Sequence, residues 1–378
     1  GFGTGRKRKN PQRRRILKSV VVAIKRKMKL KDAKIYIAGH YGMVGSAIVR
    51  KLEDRGYSNL VGRSHSQLDL TRQQDVEDFF EDERPDYVFL CAGKVGGIGA
   101  NSTYKAQFIY ENMMIAANVI HASYRYGVKK LLNLGSSCIY PRQARQPLKE
   151  EYFLTSELEP TNEPYAIAKI AAIKLCRYYN EQYGANFISV MPTNLYGPDD
   201  NYDLETSHVL PGVIRKLHLA KLLSGKAFPA LYRDLQRFGN NLSAGSSDSP
   251  AVIAGHLSRF GIHPDRVVLW GSGEPEREFL YVDDLSTACV FLMEKYDAKD
   301  IGEFINIGAG KGISIRELAG MISGIVGYGG SIEWDKTNPD GTPRKLLDVS
   351  RMMDRGWRAH TPLKQGIEMT YKWYTSHL

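Results

Sequence analysis

The apolar positions of this chain fall into short runs that alternate with longer amphipathic stretches. Residues 34–38 (KIYIA) are a β-branched and aromatic run ending at Gly39, which predicts a strand. The spacing of Met43, Val44, Ile48 and Leu52 then predicts a helix that closes near Gly56. Leu60–Val61 reads as a second strand, Asp75–Phe80 as a helical turn or more, and Tyr87–Cys91 (YVFLC) as a buried third strand. Helix is expected over Asn112–Tyr126, strand over Lys130–Leu134, a long helix over Pro164–Tyr183 and strand over Phe187–Met191. Strands alternating with helices of this length imply an α/β protein built on a parallel, doubly wound sheet. Such a sheet binds its ligand at the carboxyl ends of its strands.

After Pro198 the alternation weakens. Residues 222–265 hold two helix-like stretches around GNNLSAGSSDSP, expected to be an inserted surface element or a partly mobile flap. Arg266–Trp270 and Phe279–Val282 read as strands, and Ser314 with Glu317 as a capping box that opens a helix. The expected organisation is an extension over residues 1–33, then a Rossmann-type dinucleotide-binding domain over residues 34–198 to which later segments can return. A smaller C-terminal α/β substrate lobe over residues 199–378 carries the insertion.

The formal charge of +11 changes this picture only at one end. Residues 1–31 hold thirteen Lys or Arg and no acid, so the rest of the chain carries about −2. The folded part therefore predicts no nucleic-acid surface; only the basic tail offers one. The tail is a poor secretory signal, because its apolar stretch Val20–Ile24 is short and no small-residue cleavage site follows, and it reads as a disordered extension. No apolar run approaches the roughly 20 residues of a membrane span. Cys91, Cys138, Cys176 and Cys289 are scattered, without C-x-x-C or clustered His, which implies a reducing, cytoplasmic setting and no metal site.

Gly39-His40-Tyr41-Gly42-Met43-Val44-Gly45 follows the first strand and opens the first helix. Strand, glycine turn and helix N-terminus set backbone N–H groups and the positive end of a helix dipole against a pyrophosphate. About 20 residues on, an acid would select NAD; the chain offers Gly62-Arg63-Ser64-His65, and no carboxylate before Asp69-Leu70. Arg63 suits a 2′-phosphate, so NADP(H) is the expected cofactor, with Asp69 and Leu70 within reach of the adenine edge.

Tyr165 and Lys169 lie one turn apart on a helix face. A neighbouring ammonium and a nicotinamide cation would both favour the phenolate, drawing the Tyr165 hydroxyl down toward its working range. Upstream, Leu134-Gly135-Ser136-Ser137-Cys138-Ile139-Tyr140-Pro141 follows a strand, so Ser136 or Ser137 can hydrogen-bond a substrate carbonyl in the crevice. Glycine loop, strand-end serine and Y-x-x-x-K in this order resemble the extended short-chain dehydrogenase/reductases, whose members mostly modify nucleotide sugars.

Further stretches resemble one family, the GDP-L-fucose synthases: AGHYGMVGSAI (38–48), KVGGIGAN (94–101), GSSCIYP (135–141), EPTNEPYAIAKIA (159–171), MPTNLYGP (191–198), LWGSGEPEREFLYVDD (269–284) and DGTPRKLLDV (340–349). The resemblance spans the chain from about Lys34 onward, excepting residues 222–265. It implies epimerisation of GDP-4-keto-6-deoxy-D-mannose at C3 and C5, then NADPH reduction of the C4 ketone. By resemblance, Ser136, Tyr165 and Lys169 match the reductase triad, and Cys138 and His208 the acid–base pair of the epimerisation. An isolated cysteine is otherwise a small buried hydrophobe, and His208 an ordinary polar residue at a helix start. Gly39–Gly45, Leu134–Ser137, Pro192-Thr193-Asn194-Leu195, Lys169 and His208 match cofactor contacts, and Trp270, Arg277, Asp340 and Lys345 positions near the substrate. The family often carries Arg where this chain has Tyr41, His65 and Lys216, the last facing the diphosphate. The resemblance also implies a homodimer through the helices at 112–126 and 164–183. A 4-epimerase or 4,6-dehydratase would share the glycine loop and Y-x-x-x-K without needing Cys138 together with His208. A non-catalytic NADP-binding protein would be expected to lack Tyr165 or Lys169.

Overall fold

The computed structural model describes residues 31–239, 249–338 and 340–378. The expected basic tail up to residue 30, and residues 240–248 of the Gly/Ser/Asn-rich stretch, lie outside the described residues. The strands run β1 (Ile35–Ala38), β2 (Leu60–Val61), β3 (Tyr87–Leu90), β4 (Lys130–Leu134), β5 (Phe187–Pro192), β6 (Asn194–Tyr196), β7 (Arg266–Trp270), β8 (Glu276–Tyr281), β9 (Ile305–Ile307), β10 (Gly312–Ser314), β11 (Ser331–Asp335) and β12 (Arg344–Lys345). The helices are α1 (Met43–Asp54), α2 (Gln73–Glu83), α3 (Ile98–Thr103), α4 (Lys105–Arg125), α5 (Glu163–Tyr183), α6 (Val209–Ser224), α7 (Phe228–Phe238), α8 (Pro250–Ser258), α9 (Val282–Lys295), α10 (Ala298–Ile301), α11 (Ile315–Val326), α12 (Ser350–Asp354) and α13 (Leu363–Ser376).

Six strands form one parallel sheet in the order β2-β1-β3-β4-β5-β9. Its strands are apolar throughout because both faces are covered. Ile35 and Ile37 pack with α1 (Ile48, Leu52) and with α9 on one face. Tyr36 and Ala38 pack with α2 (Val76, Phe80), α4 (Val119, Ile120) and α5 (Ala172, Cys176) on the other. Strand order reverses direction between β1 and β3, which opens the ligand crevice at their carboxyl ends.

A second sheet is centred on β8, with β10 antiparallel to it and β12 and β6 parallel. β6 follows β5 after one residue, so the two sheets are joined beside the crevice. No helix among the described residues is long and apolar enough to cross a membrane.

The 222–265 segment is not a surface flap in its described part. Leu231 and Leu235 of α7 and Ile253 and Leu257 of α8 are buried in one core with Leu217 of α6 and Ile322 of α11. Beneath them Arg215 and Asp234 form a fully buried ion pair at 2.9 Å. The Arg215 guanidinium also donates to the carbonyls of Tyr202 (3.0 Å) and Phe238 (2.9 Å), and the Tyr374 hydroxyl donates to Asp234. Removing one partner strands the other charge in the core. Asp234→Ala is therefore expected to cost about 3–5 kcal/mol of stability, read as a lowered urea midpoint at unchanged slope. A midpoint within error of the parent would show that Arg215 finds another counter-charge.

Candidate active site

The glycine loop has the build a pyrophosphate needs. Gly39 leaves β1 at φ +86°, and a Cβ there would meet the Ala92 backbone at 2.9 Å. A Cβ on Gly45 would lie 2.1 Å from the Gly39 carbonyl oxygen, so only glycine lets α1 start this close to the strand. Gly42 caps α1 without a side-chain bond, and the first turn holds no acid, which leaves its N–H groups facing the crevice for an anion.

On the adenosine side, Arg63 is held rather than free. Its guanidinium pairs with Glu83, donates to the Gly62 carbonyl (2.9 Å) and lies over the Phe79 ring at 5.5 Å. Lys34 binds the other oxygen of Glu83 at 2.9 Å, so two cations share one carboxylate. His65 and Tyr41 are exposed, Tyr41 with its ring 3.9 Å from that of His40. Asp69 uses one oxygen on the Thr71 amide (3.0 Å) and hydroxyl (2.7 Å), and the Leu70 carbonyl accepts from Asn118 at 3.0 Å.

Tyr165 and Lys169 sit in α5 directly beneath the end of β4. Lys169 is buried and donates to the Leu134 carbonyl at 2.8 Å, and its ammonium lies 5.6 Å from the Tyr165 ring centre. Burial depresses the Lys169 ammonium, with Cys138 and Cys91 opposing. Tyr165 departs from expectation: burial, then Cys138, holds its hydroxyl above the ordinary phenol value, and Lys169 is not among the causes. Here the cation is drawn down toward the strand carbonyl rather than onto the phenol oxygen. The result is a neutral phenol, the form that can give up a proton.

Ser136 caps a 3-10 turn (Ser137–Ile139), its hydroxyl accepting from the Cys138 amide at a long 3.4 Å. The same turn buries Ser137 and Cys138. Burial raises the Cys138 thiol, and Lys345, Ser136 and Lys169 oppose the rise, Lys345 most. One cleft is lined by Ser137, Cys138, Arg142, Glu159, Asn162, Thr342, Arg344 and Lys345 among others.

His208 is the N-cap of α6. It keeps solvent contact, yet the protein crowds its ring enough that desolvation, and after it Lys345, lowers the imidazole below its ordinary value. The loop before it is clasped to the segment after β3: the Gly97 amide donates to the Thr206 carbonyl at 2.9 Å, and a Cβ on Gly97 would strike the Ser207 carbonyl at 2.8 Å. Thr193 is buried and, with Asn194, donates to the Glu278 carbonyl (3.1 and 2.8 Å), while Pro192 ends β5 and Leu195 lies in β6.

The lobe contributes cations. Arg277 and Lys345 are register partners on β8 and β12. Lys216, on α6, has no ion-pair partner among the described residues, and burial alone pushes its ammonium down to about 8. Trp270 is two-thirds exposed, and Asp340 binds the Ser272 amide (2.6 Å) and hydroxyl (2.7 Å), bracing the loop beside it.

An unpaired cation that titrates near 8 makes a pH prediction. Protonated Lys216 attracts a diphosphate and neutral Lys216 does not, so kcat/KM for the nucleotide sugar should fall above about pH 8. Lys216→Arg should abolish that limb, since a guanidinium stays charged. Stability moves the other way: the folded pKa lies below the unfolded one, so the desolvation cost is present below pH 8 and is relieved as pH rises toward the ordinary lysine value. A Lys216→Arg profile that falls like the parent's would assign the limb to another group.

Sequence reasoning missed Glu278. Its carboxylate is completely buried and accepts the amides of Gly310 (2.7 Å) and Leu347 (2.9 Å), fastening β8 to the segments after β9 and β12. A lone acid inside the apolar run of EFLY was the available signal. It also missed Asp199, which ties the loop after β6 to α1 through Ser46 (2.9 Å) and Arg50 (3.3 Å).

Comparison with known proteins places the chain in a family. Residues 35–236 and 235–308 match the NAD dependent epimerase/dehydratase family. The chain is 50% identical to GDP-L-fucose synthase 1 of Arabidopsis thaliana over 92% of its length and 95% of that protein. It is 47% identical to GDP-L-fucose synthase of Escherichia coli K12, over 90% and 96%. A GDP-6-OMe-4-keto-L-xylo-heptose reductase from C. jejuni superposes with a TM-score of 0.86 at 41% identity, over 92% of this chain and 99% of that one. A GDP-L-fucose synthetase from Naegleria fowleri bound to NADP does so with 0.73 at 25% identity, over 92% and 95%. The chain belongs to the NAD dependent epimerase/dehydratase family and, within it, to the GDP-L-fucose synthases.

Proposed function

We propose that this enzyme inverts C3 and C5 of GDP-4-keto-6-deoxy-D-mannose and then reduces the C4 ketone, giving GDP-L-fucose. The observation that carries the reading is that Cys138 and Lys345 line one cleft at the turn after β4, where Lys169 holds the Leu134 carbonyl at 2.8 Å and lies 5.6 Å from the Tyr165 ring centre. The C4 carbonyl acidifies the hydrogens on both flanking carbons, since the carbanion spreads into an enolate. Inversion needs a base on one face and an acid on the other, the work of Cys138 and His208. Arg277, Lys345 and Lys216 supply charge for the diphosphate, and Trp270 an apolar wall.

Gly39–Gly45, Arg63, Leu134–Ser137 and Pro192–Leu195 would hold NADP(H), which when bound supplies the hydride. Tyr165 then donates its proton to the C4 oxygen, Ser136 steadies that oxygen, and Lys169, anchored on Leu134, fixes the geometry.

A second reading is reduction alone on a related GDP-4-keto sugar, favoured by the likeness to the heptose reductase. Turnover of GDP-4-keto-6-deoxy-D-mannose with NADPH in deuterated water separates the two. Epimerisation places deuterium at C3 and C5; unlabelled, reduced product would leave only the reductase.

The enzyme works as a homodimer through α4 and α5. Tyr110, Met113 and Tyr124 of α4 and Ile167, Tyr178 and Tyr183 of α5 are exposed there, an apolar face that a partner copy would cover. A monomer mass in sedimentation would refute this. The four free cysteines suit the reducing cytoplasm, where we place it.

A further inference from the structure

We propose that Asn162 is a substrate-binding residue: its side-chain amide holds a ring hydroxyl of the keto sugar, on C2 or C3, and sets the carbons beside the ketone against Cys138. The inference rests on the epimerase–reductase reading above. Its ground is an asparagine that opens a helix without serving it, on the wall of the cleft that holds Cys138.

Asn162 is the N-cap of α5, three residues before Tyr165. Asparagine is favoured at that place because its side-chain oxygen accepts an amide of the first turn. Here it makes no cap bond, and its backbone sits at φ −125° and ψ 14°, outside the extended conformation that aims a cap side chain back at the turn. Pro164, in that first turn, has no N–H to offer. Asn162 Oδ1 is shut off from solvent and accepts no hydrogen bond, and Nδ2 has no partner among the described residues. An amide oxygen deprived of both water and protein donors destabilises the free enzyme and favours whatever completes it.

The residue lines the same cleft as Cys138 and Lys345. Other polar side chains of that cleft are engaged by protein: Arg142 lies 3.1 Å from Glu159, Gln146 accepts the Leu346 amide at 2.9 Å, and Arg344 pairs with Glu276 at 2.9 Å. Asn162 is uncommitted. Its amide bears an acceptor and two donors, so a half-turn about its last bond presents either to a hydroxyl. In the proposed reaction the C4 oxygen lies between Ser136 and Tyr165, and Cys138 meets the neighbouring carbons. C5 carries a methyl group, so the hydroxyl on this side of the ring is the one on C3 or, one carbon further, on C2. A site built to bond that hydroxyl rejects a sugar lacking it, because the amide is left unpaired again.

The test compares the parent, Asn162→Ala and Asn162→Ser on GDP-4-keto-6-deoxy-D-mannose and on its 2-deoxy and 3-deoxy analogues, following NADPH oxidation. On the complete sugar both variants should lose about 10-fold in kcat/KM. On the analogue without the held hydroxyl the variants and the parent should coincide, and the analogue on which they do so names the carbon. Serine is the discriminating variant. It caps a helix as well as asparagine does, so a residue that only served α5 would be rescued by it, in activity as in melting temperature. Thermal melting and NADPH binding verify that each variant is folded. Equal losses on all three sugars, or parent activity from Asn162→Ser on the complete sugar, overturn the assignment. A parent enzyme that oxidises NADPH with none of the three sugars overturns the epimerase–reductase reading itself, and the assignment with it.

Discussion

Tyr165→Phe should lower NADPH oxidation by about 100- to 10,000-fold while deuterium still enters the sugar at C3 and C5. The phenol is the neutral proton donor of the site, kept so by burial. Reduction leaves a negative charge on the C4 oxygen as hydride arrives, and that charge is quenched by the Tyr165 proton. Epimerisation draws on other groups, so exchange should survive. Phenylalanine fills the same space against Phe108, whose ring stands edge-on at 6.4 Å, which keeps α5 in place. Label and oxidation would be followed in one sample. If both vanish together, Tyr165 takes part in the inversion and the division of labour fails.

Cys138→Ser should do the reverse, suppressing label by a comparable factor before it touches reduction. A serine hydroxyl is far less acidic than a thiol, yet it is nearly the same size, so the turn at Ser137–Ile139 is preserved. The thiol is already raised by burial and drawn back chiefly by Lys345, so thiolate, and with it exchange, should increase with pH. Lys216 loses its charge at about 8, on the acid side of that range. Overall turnover should therefore peak between the two titrations, and the serine variant should lose the rising limb. Wild-type labelling by the serine variant would exclude Cys138 as an acid or base.

The long elements were legible because their apolar pattern is self-contained. β1, β3, β4 and β5 are continuous buried runs, and α5 carries its own amphipathic face. β6, β10 and β12 were not, since runs of two or three residues are strands only by virtue of β8 beside them. The Gly/Ser-rich interruption suggested a flap, whereas the helices on either side of it are fastened by apolar burial and by Arg215, seven residues before the segment begins. In the site, spacing exposed what acts within one element: the glycine loop and the Tyr165/Lys169 pair. It could not expose what depends on distant partners. Glu83, twenty residues from Arg63, decides how that guanidinium is held. The Leu134 carbonyl, thirty-five residues from Lys169, draws the ammonium away from the phenol oxygen that spacing alone placed beside it.

The sixth strand of the parallel sheet carries a consequence for biosynthesis. β9 joins β5 only through residues 305–307, so a chain emerging from the ribosome has made five strands and most of the second lobe before its sheet can close. Until then Val190, Met191 and Pro192 present an open apolar edge, the kind that recruits stray strands. Chains arrested before residue 305 should consequently depend on chaperones, and those released just after residue 307 much less so.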